Sequence, residues 1–191
     1  MKIDLKFSVL IPYYNRPHII KSVIKALLSQ PSFIHEIIIG CDGCKEPAIS
    51  NPLIKFLKTP ENCGLTVMRN RLLAEAESDY VLFLDSDAVI YRDFFTNLIH
   101  NYNPEYIFAG REYKSPKKGL ANLYRNRFWV QTLGEKALCP APFLMGICFG
   151  GNRKLFADAF GFNTGFKNYG EDLDFSFRAE RKGIQIQYIP K

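Results

Sequence analysis

Residues 80–88 read YVLFLDSDA, and they decide the fold class. Leu82, Phe83 and Leu84 form an apolar run with no polar alternation, which suits a strand covered on both faces. Two carboxylates follow at once, Asp85 and Asp87, one residue apart. Like charges at the mouth of an apolar strand cost free energy unless something positive sits between them. A partner for them is therefore part of any reading of this chain.

Working outward, the same pattern recurs. Residues 7–11 (FSVLI) are a β-rich run stopped by Pro12. Over residues 17–28, Ile19, Ile20, Val23, Ile24, Leu27 and Leu28 repeat at helical spacing, with Pro17 suited to a first turn. Residues 36–41 (EIIIGC) and 54–57 (IKFL) read as further strands, and 65–76 as a second helix. Short strands alternating with helices predict an α/β fold: a Rossmann-like, mixed but mainly parallel sheet flanked by helices. Ligands of such sheets collect at the carboxyl ends of the strands. Asp42 follows one strand and Asp85 and Asp87 another, so all three should face one crevice.

The second half is less regular. The pattern predicts a strand over 106–110, an aromatic-rich helix over 119–132 and an apolar loop and strand over 139–152 (CPAPFLMGICFGGN). A short helix from Arg153, a turn at 160–166 (FGFNTGF), a helix over 171–182 and a last strand at 184–189 (IQIQYI) follow.

At 191 residues the chain suits one domain with a single large core. Hydrophobic residues make up 47% and charged residues 23%, as in ordinary globular proteins. The net charge of +6 suits phosphorylated ligands, an anionic membrane surface or nucleic acid. Nucleic acid is not expected, because the basic residues neither form a recognisable motif nor interleave with aromatics along a strand. Five cysteines without regular spacing point to a reducing compartment. The first 15 residues lack a signal peptide's long apolar run, and no segment is apolar for long enough to span a bilayer. The expected location is the cytoplasm, with peripheral contact at the inner face of the membrane as an alternative. Lys114, Lys117 and Lys118, in the basic run 111–118, could touch anionic lipid, although most such runs are solvated surface.

Aspartates at i and i+2 beyond a strand can converge on one hard cation, Mg²⁺ or Mn²⁺. A plain turn, or an N-cap for a helix over 88–98, explains them as well. An EF-hand is disfavoured, since Val89 and Ile90 stand where a ligand oxygen and a glycine are needed. Glu171, Asp172 and Asp174 could likewise just complement a helix N-terminus. Gly150-Gly151-Asn152 could let a ligand approach the backbone on the acceptor side, or could form a turn with Asn152 as the N-cap of the next helix. Trp129, near Tyr124 and Phe128, could be an acceptor platform, but an aromatic helix face is more often core.

Context bears on these alternatives. The segments SVLIPYYNR (8–16), EIIIGCDGC (36–44), ENCGLTVMRNRLLAEAESDYVLFLDSDA (61–88), GGNRKLF (150–156) and NYGEDLDFSFRAERKG (168–183) occur in this order. Together they resemble the family 2 glycosyltransferases of the GT-A fold over nearly the whole chain. The resemblance implies an inverting, metal-dependent enzyme that moves a sugar from a nucleotide-diphosphate donor, UDP-linked in the leading reading. The acceptor would be a glycan or lipid-linked hydroxyl in cell-surface polysaccharide, lipopolysaccharide or glycolipid synthesis.

Carried over, the resemblance places Pro12 and Tyr14 at the nucleobase and gives Asp42 a uracil imide. It brings Arg69 to the base or diphosphate and Asp85, with Ser86, to the ribose or the metal's hydration shell. Asp87 becomes the direct ligand of Mn²⁺ or Mg²⁺, and Asp172, next to Glu171, the catalytic base. Residues 1–103 would be the nucleotide-sugar half and 104–191 the acceptor-side half of one catalytic domain.

Three departures stand out. Cys41 replaces a second acidic residue, and Leu72 replaces a glycine after the RN pair. The histidine that many relatives carry beyond the last strand has no counterpart, since the histidines are His18, His35 and His100. Either water and donor oxygens complete the metal shell, or the chain is trimmed at its C-terminus. Cys41-x-x-Cys44 lacks the two further ligands of a zinc site and reads as two free thiols. A sugar-nucleotidyltransferase should have a Gly-rich phosphate loop where this chain has PYYNRP. A non-catalytic nucleotide-sugar-binding module remains as an alternative.

Overall fold

Alternating side chains along each central strand build two cores, one on each face of a single sheet. In β1 (Phe7–Tyr13), Phe7, Val9, Ile11 and Tyr13 face one core and Leu10 the other. In β2 (Ile34–Asp42), Ile37, Ile39 and Cys41 oppose Ile38 in the same way. In β4 (Tyr80–Leu84), Leu82 and Leu84 oppose Val81 and Phe83. Burying each such side chain stabilises the fold by about 1.5–3 kcal/mol. Runs of Ile, Val and Leu therefore read as continuous rather than alternating, because both faces are covered. The computed structural model describes residues 5–113, 119–120, 123–124, 133–166 and 169–190.

Three more strands and one reversed strand complete the sheet. β3 is Ile54–Thr59, β5 Ile107–Gly110, β6 Cys148–Asn152 and β7 Ile186–Ile189. The order is β3-β2-β1-β4-β6-β5-β7. β1 pairs in parallel with β2 and β4, β2 with β3, and β5 with β7, while β6 runs antiparallel to β4 and β5. The mixed, mainly parallel α/β sheet expected from the sequence is the one observed.

The helices α1 (Pro17–Leu28), α2 (Leu65–Glu75), α3 (Phe94–Asn101), α4 (Arg153–Asp158) and α5 (Glu171–Arg181) flank it. α1 and α3 pack on one face, and α2, α4 and α5 on the other. Gly40 lets α2 lie close, since a Cβ there would meet Met68 Sδ at 2.4 Å and Leu72 Cδ1 at 3.2 Å. Leu72, the departure without an obvious reason in sequence, thus fills the space over Gly40.

Two expectations need correction. The helix after LDSDA begins at Phe94 rather than Ala88, so neither Asp85 nor Asp87 is its N-cap. Instead Ala88 N donates to Asp85 O at 2.9 Å in a tight turn. The second concerns Gly150, Gly151 and Asn152, which lie within β6 opposite Leu82, Val81 and Tyr80. Because β6 is reversed, they run toward the amino edge of the sheet, away from Asp85. A Cβ at Gly150 would meet Val81 O at 2.1 Å, so this glycine serves sheet packing rather than a ligand. Asn152 accepts from Lys154 N at 2.9 Å and caps α4. The expected aromatic helix at 119–132 falls largely outside the described residues, as do Lys114, Lys117, Lys118 and Trp129.

Candidate active site

At the carboxyl edge, β4 ends in the Asp85–Ala88 turn and the reversed β6 begins. Asp85 N donates to Ile147 O at 3.0 Å, so the Gly146–Ile147 backbone is bound to the first aspartate. Both aspartates have a positive partner. Asp87 is paired with Arg16, from the turn between β1 and α1. Asp85 faces the guanidinium of Arg69, whose Nη2 lies 3.4 Å from Asp85 Oδ1.

Arg69 is the hub of the site. It projects from α2 and is 1% exposed. Its Nη1 donates to Glu171 Oε1 at 2.9 Å and its Nη2 to Gly146 O at 2.7 Å. Its guanidinium also lies 5.2 Å from the Phe149 ring centre and 5.4 Å from that of Phe162, a cation–π setting. One buried cation thereby fixes the end of β4, the loop before β6 and the start of α5. Arg69 was expected at the base or diphosphate, but the structure turns it inward.

Glu171 is 7% exposed and committed to Arg69, so it orients the site rather than acting as a base. Asp172, half-buried beside it, accepts from Leu173 N at 2.9 Å and from Gly146 N at 3.3 Å. Gly146 escaped the sequence reading. A Cβ there would lie 3.3 Å from Asp172 Oδ2 and 3.5 Å from Arg69 Nη2, inside the charged cluster. The available signal was a glycine in the apolar run LMGICF just before a strand.

Neighbours on α2 hold the approach to α5. Asn70 clamps Phe162, donating to its carbonyl at 2.7 Å and accepting from its amide at 2.8 Å. Thr66 Oγ1 donates to Phe166 O at 3.1 Å. The RN pair thus divides its work, Arg69 binding the charged cluster and Asn70 the turn that leads to Asp172.

Asp42, expected to meet a uracil imide, is 5% exposed and well supplied with donors. It accepts from Cys63 N at 2.7 Å, Gly64 N at 3.0 Å and Thr59 Oγ1 at 3.1 Å. Its observed work is to bind the loop before α2, and so to seat Arg69. Pro12 lies inside β1 opposite Gly40, whereas Tyr14 lies just beyond the strand with 56% exposure. Ser86 sits half-buried in the Asp85–Ala88 turn. A cleft of about 940 Å³ opens beside Asp87, lined by His18, Ile19, Tyr91, Phe94, Arg111 and Tyr113 among others.

The electrostatics favour added positive charge. Burial pushes the Asp85 carboxyl up to about 6, and Asp87 and Glu171 push the same way against the opposing pull of Arg69. Two hard carboxylates at i and i+2, one half-buried and one open to solvent, fit Mg²⁺ or Mn²⁺. Among the described residues, the three-ligand cluster is elsewhere: His35, Glu36 and Glu77, at the amino edge. Lys55 already supplies its cation, 2.9 Å from Glu36 Oε2. The five cysteines, Cys41 and Cys44 included, are free.

The sheet is mainly parallel with one reversed strand, and a carboxylate pair and an acidic helix start meet at its carboxyl edge. Comparison with known proteins carries this further. The profile of Glycosyl transferase family 2 matches residues 8–160, and the chain belongs to that family. It is 30% identical over 106 residues to glycosyltransferase GlyA of Streptococcus pneumoniae serotype 4, covering 51% of this chain and 15% of that protein. It is 30% identical over 102 residues to the glycosyltransferase YibD of Escherichia coli (strain K12), covering 49% and 29%. The chain thus spans under a third of these relatives' lengths.

Among solved structures, S. aureus TarS 1-349 superposes with a TM-score of 0.72 at 18% identity, covering 98% of this chain and 58% of that one. GalNAc-T7 with UDP, GalNAc and Mn2+ superposes with a TM-score of 0.77 at 13% identity, covering 100% and 43%. No helix among the described residues is long and apolar enough to cross a membrane.

Proposed function

We propose that this chain is the catalytic unit of an inverting glycosyltransferase that takes its sugar from a nucleotide-diphosphate donor, UDP-linked in the first instance. The observation that carries the reading is the Arg69 hub, which ties the Asp85 turn and the Glu171–Asp172 helix start into one rigid group. In this reading the group sets a donor-side carboxylate pair beside a base-side carboxylate.

In this reading Asp172 accepts the proton of the acceptor hydroxyl as that oxygen attacks the anomeric carbon from the face opposite the leaving group. Glu171 and Gly146 hold Asp172 in place. Asp87, with Asp85 behind it, would hold Mn²⁺ or Mg²⁺. When bound, that ion neutralises charge on the departing nucleoside diphosphate. Tyr14 offers an exposed ring for the base, two residues after Pro12. The GalNAc-T7 structure, which contains UDP, GalNAc and Mn2+, supports this choice of donor class and metal. The acceptor would be a glycan or lipid-linked hydroxyl of a cell-surface polymer, reached from the cytoplasmic face.

A melting-temperature screen against UDP-, GDP- and dTDP-sugars, with and without Mn²⁺, tests the reading. Ligand at 100 times Kd adds about 2.7 kcal/mol. For a chain of this size that is an upward shift of roughly 5–10 °C. One donor class should give it, and only with Mn²⁺. No shift and no slow donor hydrolysis with any of them would refute the reading.

A further inference from the structure

We infer that Arg16 is a built-in stand-in for the divalent cation: it occupies the Asp87 carboxylate before the metal arrives, and metal and Arg16 exclude one another there. The inference rests on the reading of Asp87 as the metal ligand. It adds a residue to which the resemblance gave no role.

The geometry is specific. Arg16 and Asp87 are 71 positions apart in sequence, yet the guanidinium reaches the Asp87 Oδ2 atom. Asn15, with φ +51°, turns the chain between β1 and α1. The backbone of Arg16 is then fixed, because its carbonyl accepts from Ile19 N at 3.2 Å and Ile20 N at 3.3 Å. Only the side chain is free to move.

Solvent exposure makes this contact replaceable rather than structural. Both side chains are open, at 56% and 43% exposure, so the pair is well hydrated and weak. Arg16 also stands at the positive end of α1, whose first turn has no acidic residue. A cation is disfavoured at that end of a helix. Asp87 is thus the counter-charge that makes the position tolerable.

A divalent ion offers Asp87 a stronger partner and leaves Arg16 uncompensated beside the donor crevice. The polyanion that arrives with the ion restores its counter-charge, since guanidinium groups suit phosphate oxygens. Arg16 thereby couples the two arrivals. It opposes the bare metal and favours metal together with diphosphate.

The test measures Mn²⁺ affinity of the intact chain from the electron paramagnetic resonance of free Mn²⁺, without nucleotide. Arg16→Ala should bind Mn²⁺ two- to fivefold more tightly than the native chain, the size expected of an exposed pair. The factor by which Mn²⁺ improves UDP affinity should shrink in the same variant. Equal or weaker Mn²⁺ binding by Arg16→Ala overturns the competition and leaves the metal site standing. No Mn²⁺ binding by either protein overturns both the competition and the reading of Asp87. Circular dichroism of Arg16→Ala, expected to match the native spectrum, separates these outcomes from misfolding.

Discussion

The two edges of the sheet each carry a carboxylate cluster with one buried member, Glu36 or Glu171, and they are built to opposite ends. At the amino edge Glu36, 2% exposed, accepts from Ser8 Oγ at 2.6 Å and Glu77 N at 2.8 Å, with Lys55 Nζ 2.9 Å from its other oxygen. Burial raises its pKa, but Ser8, the Glu77 amide and Lys55 together leave it below the ordinary value. At the carboxyl edge Asp85 has Arg69, yet burial and the nearby Asp87 and Glu171 leave it above its ordinary value, at about 6. In the first cluster both carboxylates, Glu36 and Glu77, have Lys55 beside them. The second retains unbalanced negative charge at a crevice, as a site for a cation and a polyanion requires.

The largest effect should come from chemistry at the open edge. Asp172→Asn should lower the transfer rate by about 10²–10⁴. Its unfolding free energy should stay within roughly 1 kcal/mol of the native chain, because the amide oxygen can still accept from Gly146 N. Turnover and a urea melt measured together check this. Full activity with an unchanged melt would remove Asp172 from the role of base.

Next is the hub. Arg69→Met should cost about 3–5 kcal/mol, because Glu171 loses its partner while staying buried. A urea midpoint lowered in proportion is the expected reading, with transfer lost as well. A loss under 1 kcal/mol would show that the open edge does not depend on one buried cation.

The smallest effect belongs to the amino edge. Glu36→Gln should cost about 1–3 kcal/mol and leave transfer at pH 7 unchanged. The native pKa of Glu36 lies below its unfolded value. Its contribution is therefore present above the unfolded pKa of about 4.5 and is lost as the pH falls through the native one. The native chain should lose this part of its stability on acidification, and the variant should not. Asp85 works in the opposite sense, since a raised native pKa makes ionisation between pH 4 and 6 a cost to stability.

Much of this was legible in sequence. The parallel half could be read because doubly covered strands appear as unbroken apolar runs, and the carboxyl ends then follow from strand direction. Asp85 and Asp87 were found by that route. The placement of Gly150-Gly151-Asn152 was missed because a five-residue strand carries no mark of its direction, and the reversal of β6 sends its end to the far edge. Arg69 was identified as important but aimed the wrong way. Its inward turn depends on Glu171 and Gly146, which are 102 and 77 positions distant. The pairing of Arg16 with Asp87 was invisible for the same reason.

The reversal of β6 has a consequence for how such a chain can diverge. β5 ends and β6 begins at the same edge of the sheet, so residues 111–147 leave from the crevice and return to it. Ends held together by strand pairing make extra length cheap, since doubling a loop adds only about 0.6 kcal/mol of closure entropy. Extra length is best placed ahead of Leu133, because Leu144 and Met145 belong to the core and Gly146 to the charged hub. Sequence ahead of Leu133 can be exchanged like a cartridge, while the apparatus around Arg69 stays as it is.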